Sequence, residues 1–236
     1  MNVDKREIYR YLGYQGRIPD ENVLAEVDRC LKELREAVTP RSVYRQYPIE
    51  RFFTDKKPAQ GSDPGSDPET ETLSIAGMKI QSRSLCRNLR NCESAYLMAA
   101  TLGIGPDRLI ARASVAKMSR AVILQAAAAA MIEAWCDKVN QKIIKAAEEQ
   151  GLYCRPRFSP GYGDFSLEYQ KDFAQILRIQ KEIGVSLTQS LLMMPSKSVT
   201  AVIGLSSVKK ECVLHGCEAC SKEQECSFSR MKVQAI

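Results

Sequence analysis

Histidine is almost missing from this chain. His215 is the single copy in 236 residues, which argues against a histidine-based catalytic triad and a histidine-rich zinc site. Long apolar runs are missing too. The most apolar stretch, Ala121 to Trp135, is alanine-rich and interrupted by Gln125 and Glu133, too weak a signal for a membrane span. No phosphate-cradling loop is present: Thr101-Leu-Gly-Ile-Gly105 lacks the lysine and the spaced glycines such a loop needs, so turn glycines explain it. Concentrated positive charge is absent as well. The net charge of +6 is spread out, and Lys56-Lys57 and Lys209-Lys210 are doublets with acids nearby. This argues against a dedicated nucleic-acid surface, while an acidic protein partner would be favoured electrostatically.

What is present reads as one folded unit. A hydrophobic fraction of 44% with 26% charged residues is ordinary for a soluble protein, and this length can bury a full core. Met1-Asn-Val-Asp-Lys-Arg opens directly into a charged helix signal, so no secretory leader and a cytoplasmic location are expected. In that compartment nine cysteines suggest thiols or metal ligands rather than disulfides.

Asp4 and Glu7 form a capping pattern for a short helix ending near Gly13. A second helix starts around Asp20 and carries Val23, Val27, Leu31, Leu34 and Val38 on one face until Pro40 stops it. Strands are predicted around Val43 to Ile49, Leu73 to Ile80 and Glu93 to Thr101, with a short helix from Ser84 to Asn91. Two helices follow Pro106, the second from near Ser119 to Gln150 with Gly151 as its C-cap. Ser166 caps a helix presenting Phe173, Ile176, Leu177 and Ile183, and Val185–Leu192 and Val199–Leu205 read as paired strands. The predicted class is α+β, a mixed or antiparallel sheet with packed helices. The domain is placed at 1–206, with a mobile insertion at 55–72, followed by a cysteine-rich segment at 207–236.

The stretch from Arg155 to Leu205 holds the most chemistry. Pro160-Gly161 suits a type II turn, which would set Arg157 and Tyr162 on either side of exposed backbone amides. A guanidinium fork, free amides and a phenol suit a small carboxylate-bearing ligand. A tight turn with a solvated arginine is the plainer alternative.

Arg157-Phe-Ser-Pro-Gly-Tyr162, Ile183-Gly-Val-Ser-Leu-Thr-Gln-Ser190 and Met193-Met-Pro-Ser-Lys-Ser-Val-Thr200 resemble the S-adenosylmethionine-binding activation domain of cobalamin-dependent methionine synthase. Ala99-Ala-Thr-Leu-Gly103 and the alanine-rich helix after it look like the same family. The resemblance implies a part in the reductive methylation of inactivated cobalamin. It matches Arg157 to the ligand's carboxylate, and Phe158, Ser159, Gly161 and Tyr162 to the loop around the ligand. An acid near the N-terminus also contacts ligand in that family; Asp4 is the nearest candidate, and its capping role explains it equally well. Glu133 and Asp137 could line the site, or be solvated helical acids.

No Asp-x-His-x-x-Gly pattern of cobalamin-binding modules occurs, so a partner methyltransferase chain would supply cobalamin. The implied function is a reactivation factor for a separate cobalamin-dependent methyltransferase, methionine synthase first. Its electrons would come from a flavodoxin, a ferredoxin or a bound cluster. The alternative is a non-catalytic S-adenosylmethionine sensor or scaffold docking on a corrinoid protein. Where the family continues with a tyrosine-bearing segment after Leu205, this chain has Ser206-Ser-Val-Lys-Lys-Glu and then cysteines.

Cys212, Cys217, Cys220 and Cys226 put four thiols in fifteen residues. One metal centre is expected there, an iron–sulfur cluster ahead of zinc, with a reduced cysteine-rich tail as the alternative. Cys30, Cys86, Cys92, Cys136 and Cys154 fall on predicted buried faces and read as core residues.

Overall fold

Strand alternation sets the layers. A computed structural model describes residues 3–14, 17–55 and 69–209. In it, β4 (Ser94–Thr101) sends Ala95, Leu97 and Ala99 to one buried face and Tyr96, Met98 and Ala100 to the other. Its neighbour β8 (Ser198–Ser206) does the same, with Val202 on the first face and Ala201, Ile203 and Leu205 on the second. Strands buried on both sides need a helical layer on each.

One layer holds α1 (Lys5–Tyr11), α2 (Glu21–Ala37), α4 (Gly105–Ala116) and the long α5 (Met118–Glu148). In α2, Asp20 accepts from the Val23 amide at 3.0 Å, while Val27, Leu31 and Leu34 point inward as their spacing requires. Arg120 at the start of α5 pairs with Glu26 and Glu33 of α2, pinning the two helices together. The opposite layer holds α3 (Arg83–Asn88), α6 (Gln170–Ile176) and α7 (Ile179–Ile183) around Phe165 and Phe173.

With β1 at Arg41–Asp55, β2 at Glu69–Ile75, β3 at Met78–Ile80 and β5 at Tyr153–Cys154, the sheet order is β3-β2-β1-β4-β8-β5, every neighbouring pair antiparallel. The fifteen-residue β1 (Arg41–Asp55) serves two partners, pairing with β4 up to Pro48 and with β2 (Glu69–Ile75) from Ile49. Proline has no N–H to give a ladder, so the change of partner falls where one donor is missing.

The α+β prediction holds, with local corrections. Paired backbone runs to Asp55 and resumes at Glu69, taking both ends of the expected insertion. Leu73–Ile80 is not one strand but the end of β2, a turn at Ala76-Gly77 and β3 (Met78–Ile80). Both turn residues have positive φ, 53° and 82°, the geometry that matches a tight hairpin to strand twist. The helix after Ser166 breaks at Arg178, where φ is 54°. Val185–Leu192 does not pair with β8; β6 (Ser186–Leu187) pairs with β7 (Met193–Met194) in a separate small hairpin.

Among the described residues no helix is long and apolar enough to cross a membrane. Cys30, Cys86, Cys92, Cys136 and Cys154 are all buried, as expected of core thiols. Cys212, Cys217, Cys220 and Cys226 lie outside the described residues.

Leu97 sits at the centre of the ladder, fully buried against Val202 and the α3–α6 layer. Leu97→Ala should lower unfolding free energy by about 2–5 kcal/mol, the cost of an unfilled core site. Denaturant melts check this; a loss below about 1 kcal/mol would mean that this face is not packed as described.

Candidate functional site

A bulge aims the key side chain. At the sheet edge β5 (Tyr153–Cys154) pairs with the end of β8, and the Arg155 amide donates to the Gly204 carbonyl at 2.7 Å. The next bridge joins Phe158 to Val202, with reciprocal bonds of 2.9 and 2.8 Å. Three steps on one strand thus face two on the other, and the extra residue reverses the alternation. Arg155 lies on the α3 side, its Cγ near Gly204, Leu89 and Cys92. Arg157 turns to the opposite side, toward α5.

There Arg157 Nη2 donates to Asp137 Oδ1 at 2.8 Å and to Glu133 Oε2 at 3.3 Å. The two acids stand four residues apart, on one face of α5. Sequence reasoning named both as lesser candidates, and the structure brings both to Arg157. The pairs are wet on the acid side, with Arg157 22%, Glu133 38% and Asp137 60% exposed. Exposed ion pairs of this kind contribute only about 0–1 kcal/mol, so the guanidinium can change partners at little cost. Beneath them Cys136 is fully buried, and burial pushes its thiol up to about 12 despite the nearby guanidinium. It stays protonated and is no nucleophile.

The expected turn forms. Tyr162 N donates to Ser159 O at 3.1 Å, Pro160 holds the second position, and Gly161 takes φ of 96° at the third. The expected open amides are not found at two positions: the Tyr162 amide closes the turn, and the Gly161 amide donates to Phe165 O at 2.7 Å. Phe158 props the loop from below, its ring 6.2 Å from Phe165 and 6.3 Å from Tyr162, which is 67% exposed. Ser159 is half-buried between them. Asp4 stays at the start of α1, accepting from the Arg6 amide at 2.9 Å and paired with its guanidinium.

Asp164 fastens the loop to the opposite layer. It accepts from Ser82 Oγ at 2.6 Å and from the amides of Arg83 at 2.7 Å and Ser84 at 3.1 Å. The turn that presents Tyr162 is thereby tied to the start of α3.

A guanidinium flanked by two carboxylates is the complement of a zwitterion. The arginine offers a fork to a carboxylate, and the acids face any cationic group beside it. A family model for the activation domain of vitamin B12 dependent methionine synthase matches residues 93–232, more than half of the chain and the whole of this site. The chain belongs to that family. No curated protein matches it at all closely. Among solved structures it is similar to the MetH reactivation domain bound to AdoHcy, with 16% identity and a TM-score of 0.54, covering 97% of this chain and 84% of that one. At that identity the likeness shows a shared activation-domain fold.

Among the described residues no group of three or more metal-ligating side chains is assembled.

Partial burial alone would raise the Asp164 pKa, but its hydrogen bonds outweigh that and hold it near 2, against an ordinary 3.8. A carboxylate whose pKa is lower folded than unfolded stabilises the fold above its unfolded pKa and ceases to as pH falls toward the folded one. Asp164→Ala should therefore melt below the wild type at pH 6, and the gap should close between about pH 4 and pH 2. Thermal melts across that range test it; a gap independent of pH would mean that the charge is not what holds the loop.

Proposed function

We propose that the protein binds S-adenosylmethionine at the Arg157 turn and serves the reductive methylation of cobalamin carried by a separate methyltransferase chain, a methionine synthase. The observation that carries this is the Arg157–Glu133–Asp137 cluster, set beside the Pro160-Gly161 turn in a chain of the activation-domain family. The relative bound to AdoHcy supports the same ligand class.

The ligand's charges fit the cluster. Its α-carboxylate would take over the Arg157 fork, releasing Asp137. The freed carboxylates of Asp137 and Glu133 would then face the ligand's ammonium and sulfonium. Giving up a water-exposed ion pair costs about 0–1 kcal/mol, whereas a hydrogen bond to a charged group contributes about 1.5–3 kcal/mol. The exchange therefore favours the ligand.

The corrinoid would come from the partner, since the chain has no Asp-x-His-x-x-Gly pattern. A flavodoxin- or ferredoxin-type donor would supply the electron that the partner's inactive cobalamin needs, and S-adenosylmethionine held here would supply the methyl group and leave as S-adenosylhomocysteine. This chain's share is orientation: holding the sulfonium methyl toward the cobalt converts an encounter into a positioned reaction. No side chain needs to move a proton, in keeping with a single histidine and a buried, protonated Cys136.

Calorimetric titration should show saturable binding of S-adenosylmethionine or S-adenosylhomocysteine. Arg157→Ala should weaken it by about 1.5–3 kcal/mol, the contribution of a charge-assisted hydrogen bond. Equal affinity in wild type and variant would remove Arg157 from the site.

A further inference from the structure

Arg155, the arginine that the bulge leaves on the α3 side, is unusually placed. It is only 5% exposed, and its Nη1 and Nη2 are both buried without a hydrogen-bond partner. Asn88, the last residue of α3, carries a second such atom, its buried Oδ1. The orientation of that amide is set, because Nδ2 donates to the Pro156 carbonyl at 3.4 Å and a carbonyl can only accept. Asn88 thus touches the residue after Arg155, while the stem of Arg155 lies near Leu89, the residue after Asn88. Both orphaned groups sit at one crossing of α3 and the sheet edge.

The described residues leave both unsatisfied. From Arg83 to Cys92 the sequence holds three arginines and no acid. The Leu89 carbonyl already accepts from the Cys92 amide at 3.0 Å and from Arg51 Nη2 at 2.7 Å, which uses both its lone pairs. Asp164 is engaged at the other end of α3, with Ser82, Arg83 and Ser84. The crossing is closely built: a Cβ on Gly204 would come within 2.6 Å of Leu89 Cδ2, 2.7 Å of Cys92 Sγ and 3.3 Å of Arg155 Cγ. A guanidinium buried without a counter-charge is costly, so the position calls for an acceptor from outside the chain.

The two orphans also define what would fill it. A guanidinium takes a carboxylate or a tetrahedral oxyanion by two parallel bonds. An amide oxygen beside it asks for a donor and repels a fully ionised acceptor. Water can bridge such groups but leaves the guanidinium's charge uncompensated. An oxyanion that keeps a proton, such as hydrogen phosphate or bicarbonate, serves both. Solvent does not reach the two nitrogens, which suits a free ion better than the headgroup of a larger molecule. We propose that Arg155 and Asn88 form a binding site for a small proton-bearing oxyanion, on the opposite side of the sheet from the Arg157 cluster. The ion would brace the segment that carries both arginines, whatever Arg157 itself binds.

Thermal melts of the full chain near neutral pH and at constant ionic strength test this, with phosphate, bicarbonate or sulfate added separately to a chloride buffer. Sulfate is the control, since it stabilises proteins generally but carries no proton at that pH. Phosphate or bicarbonate should raise the wild-type midpoint beyond the effect of sulfate, by about 3–6 °C for each tenfold increase above its dissociation constant. Arg155→Met keeps the apolar stem but removes the charge. It should melt at least as high as the wild type in chloride and lose the gain specific to phosphate or bicarbonate. Asn88→Ala leaves the guanidinium in place and should bring both ions down to the level of sulfate. Arg157→Ala should keep the full gain, which separates this site from the other arginine. No gain beyond sulfate in the wild type, or an equal gain in Arg155→Met or Asn88→Ala, would overturn the proposal.

Discussion

The pairing of β4 with β8 is the constraint on which the other elements depend. Eight residue pairs, from Ser94↔Leu205 to Thr101↔Ser198, join segments about a hundred residues apart. Both strands are buried on both faces, so a one-residue slip would send the whole Leu97–Val202 side into the layer that holds Met98 and Ile203. The ladder fixes where α5 lies across the sheet. It also fixes the β8 edge, on which β5 and Phe158 find their register. Cavities at such positions are costly because close-packed interiors relax only partially.

The candidate site follows from a departure from that regularity. In an unbroken strand Arg155 and Arg157 would share a face. The extra residue between the Gly204 and Val202 bridges separates them, leaving Arg155 with the α3 layer and delivering Arg157 to the acids of α5. The turn that follows is held from two directions, by the Phe158–Phe165 contact below and by Asp164 on the start of α3. A surface loop is thereby given a fixed shape. The ion pairs of Arg157, in contrast, are wet and weak. The backbone is rigid, and the charges are free to exchange partners.

The layers were legible in the sequence where periodicity is strong. The face of α2, the span of β4 and the extent of α5 are legible within a residue or two, because burial leaves a repeating pattern. The Pro160-Gly161 turn was legible because few residue pairs suit it. Local tight features were less visible. The Ala76-Gly77 turn hid inside an apolar run, since alanine is an unusual first residue for positive φ. The bulge at Pro156 leaves no periodic trace, so the meeting of Arg157 with Glu133 and Asp137 had no linear signal beyond two acids four residues apart on an alanine-rich helix.

The most direct measurement follows a labelled methyl group. A cobalamin-carrying methionine synthase chain without an activation domain, poised in its inactive oxidation state, is mixed with methyl-labelled S-adenosylmethionine and a one-electron reductant. The account predicts that label reaches the cobalt only when this protein is present, and slowly when Arg157→Ala replaces it. Label arriving at the same rate without the protein, or never arriving with it, would contradict the account.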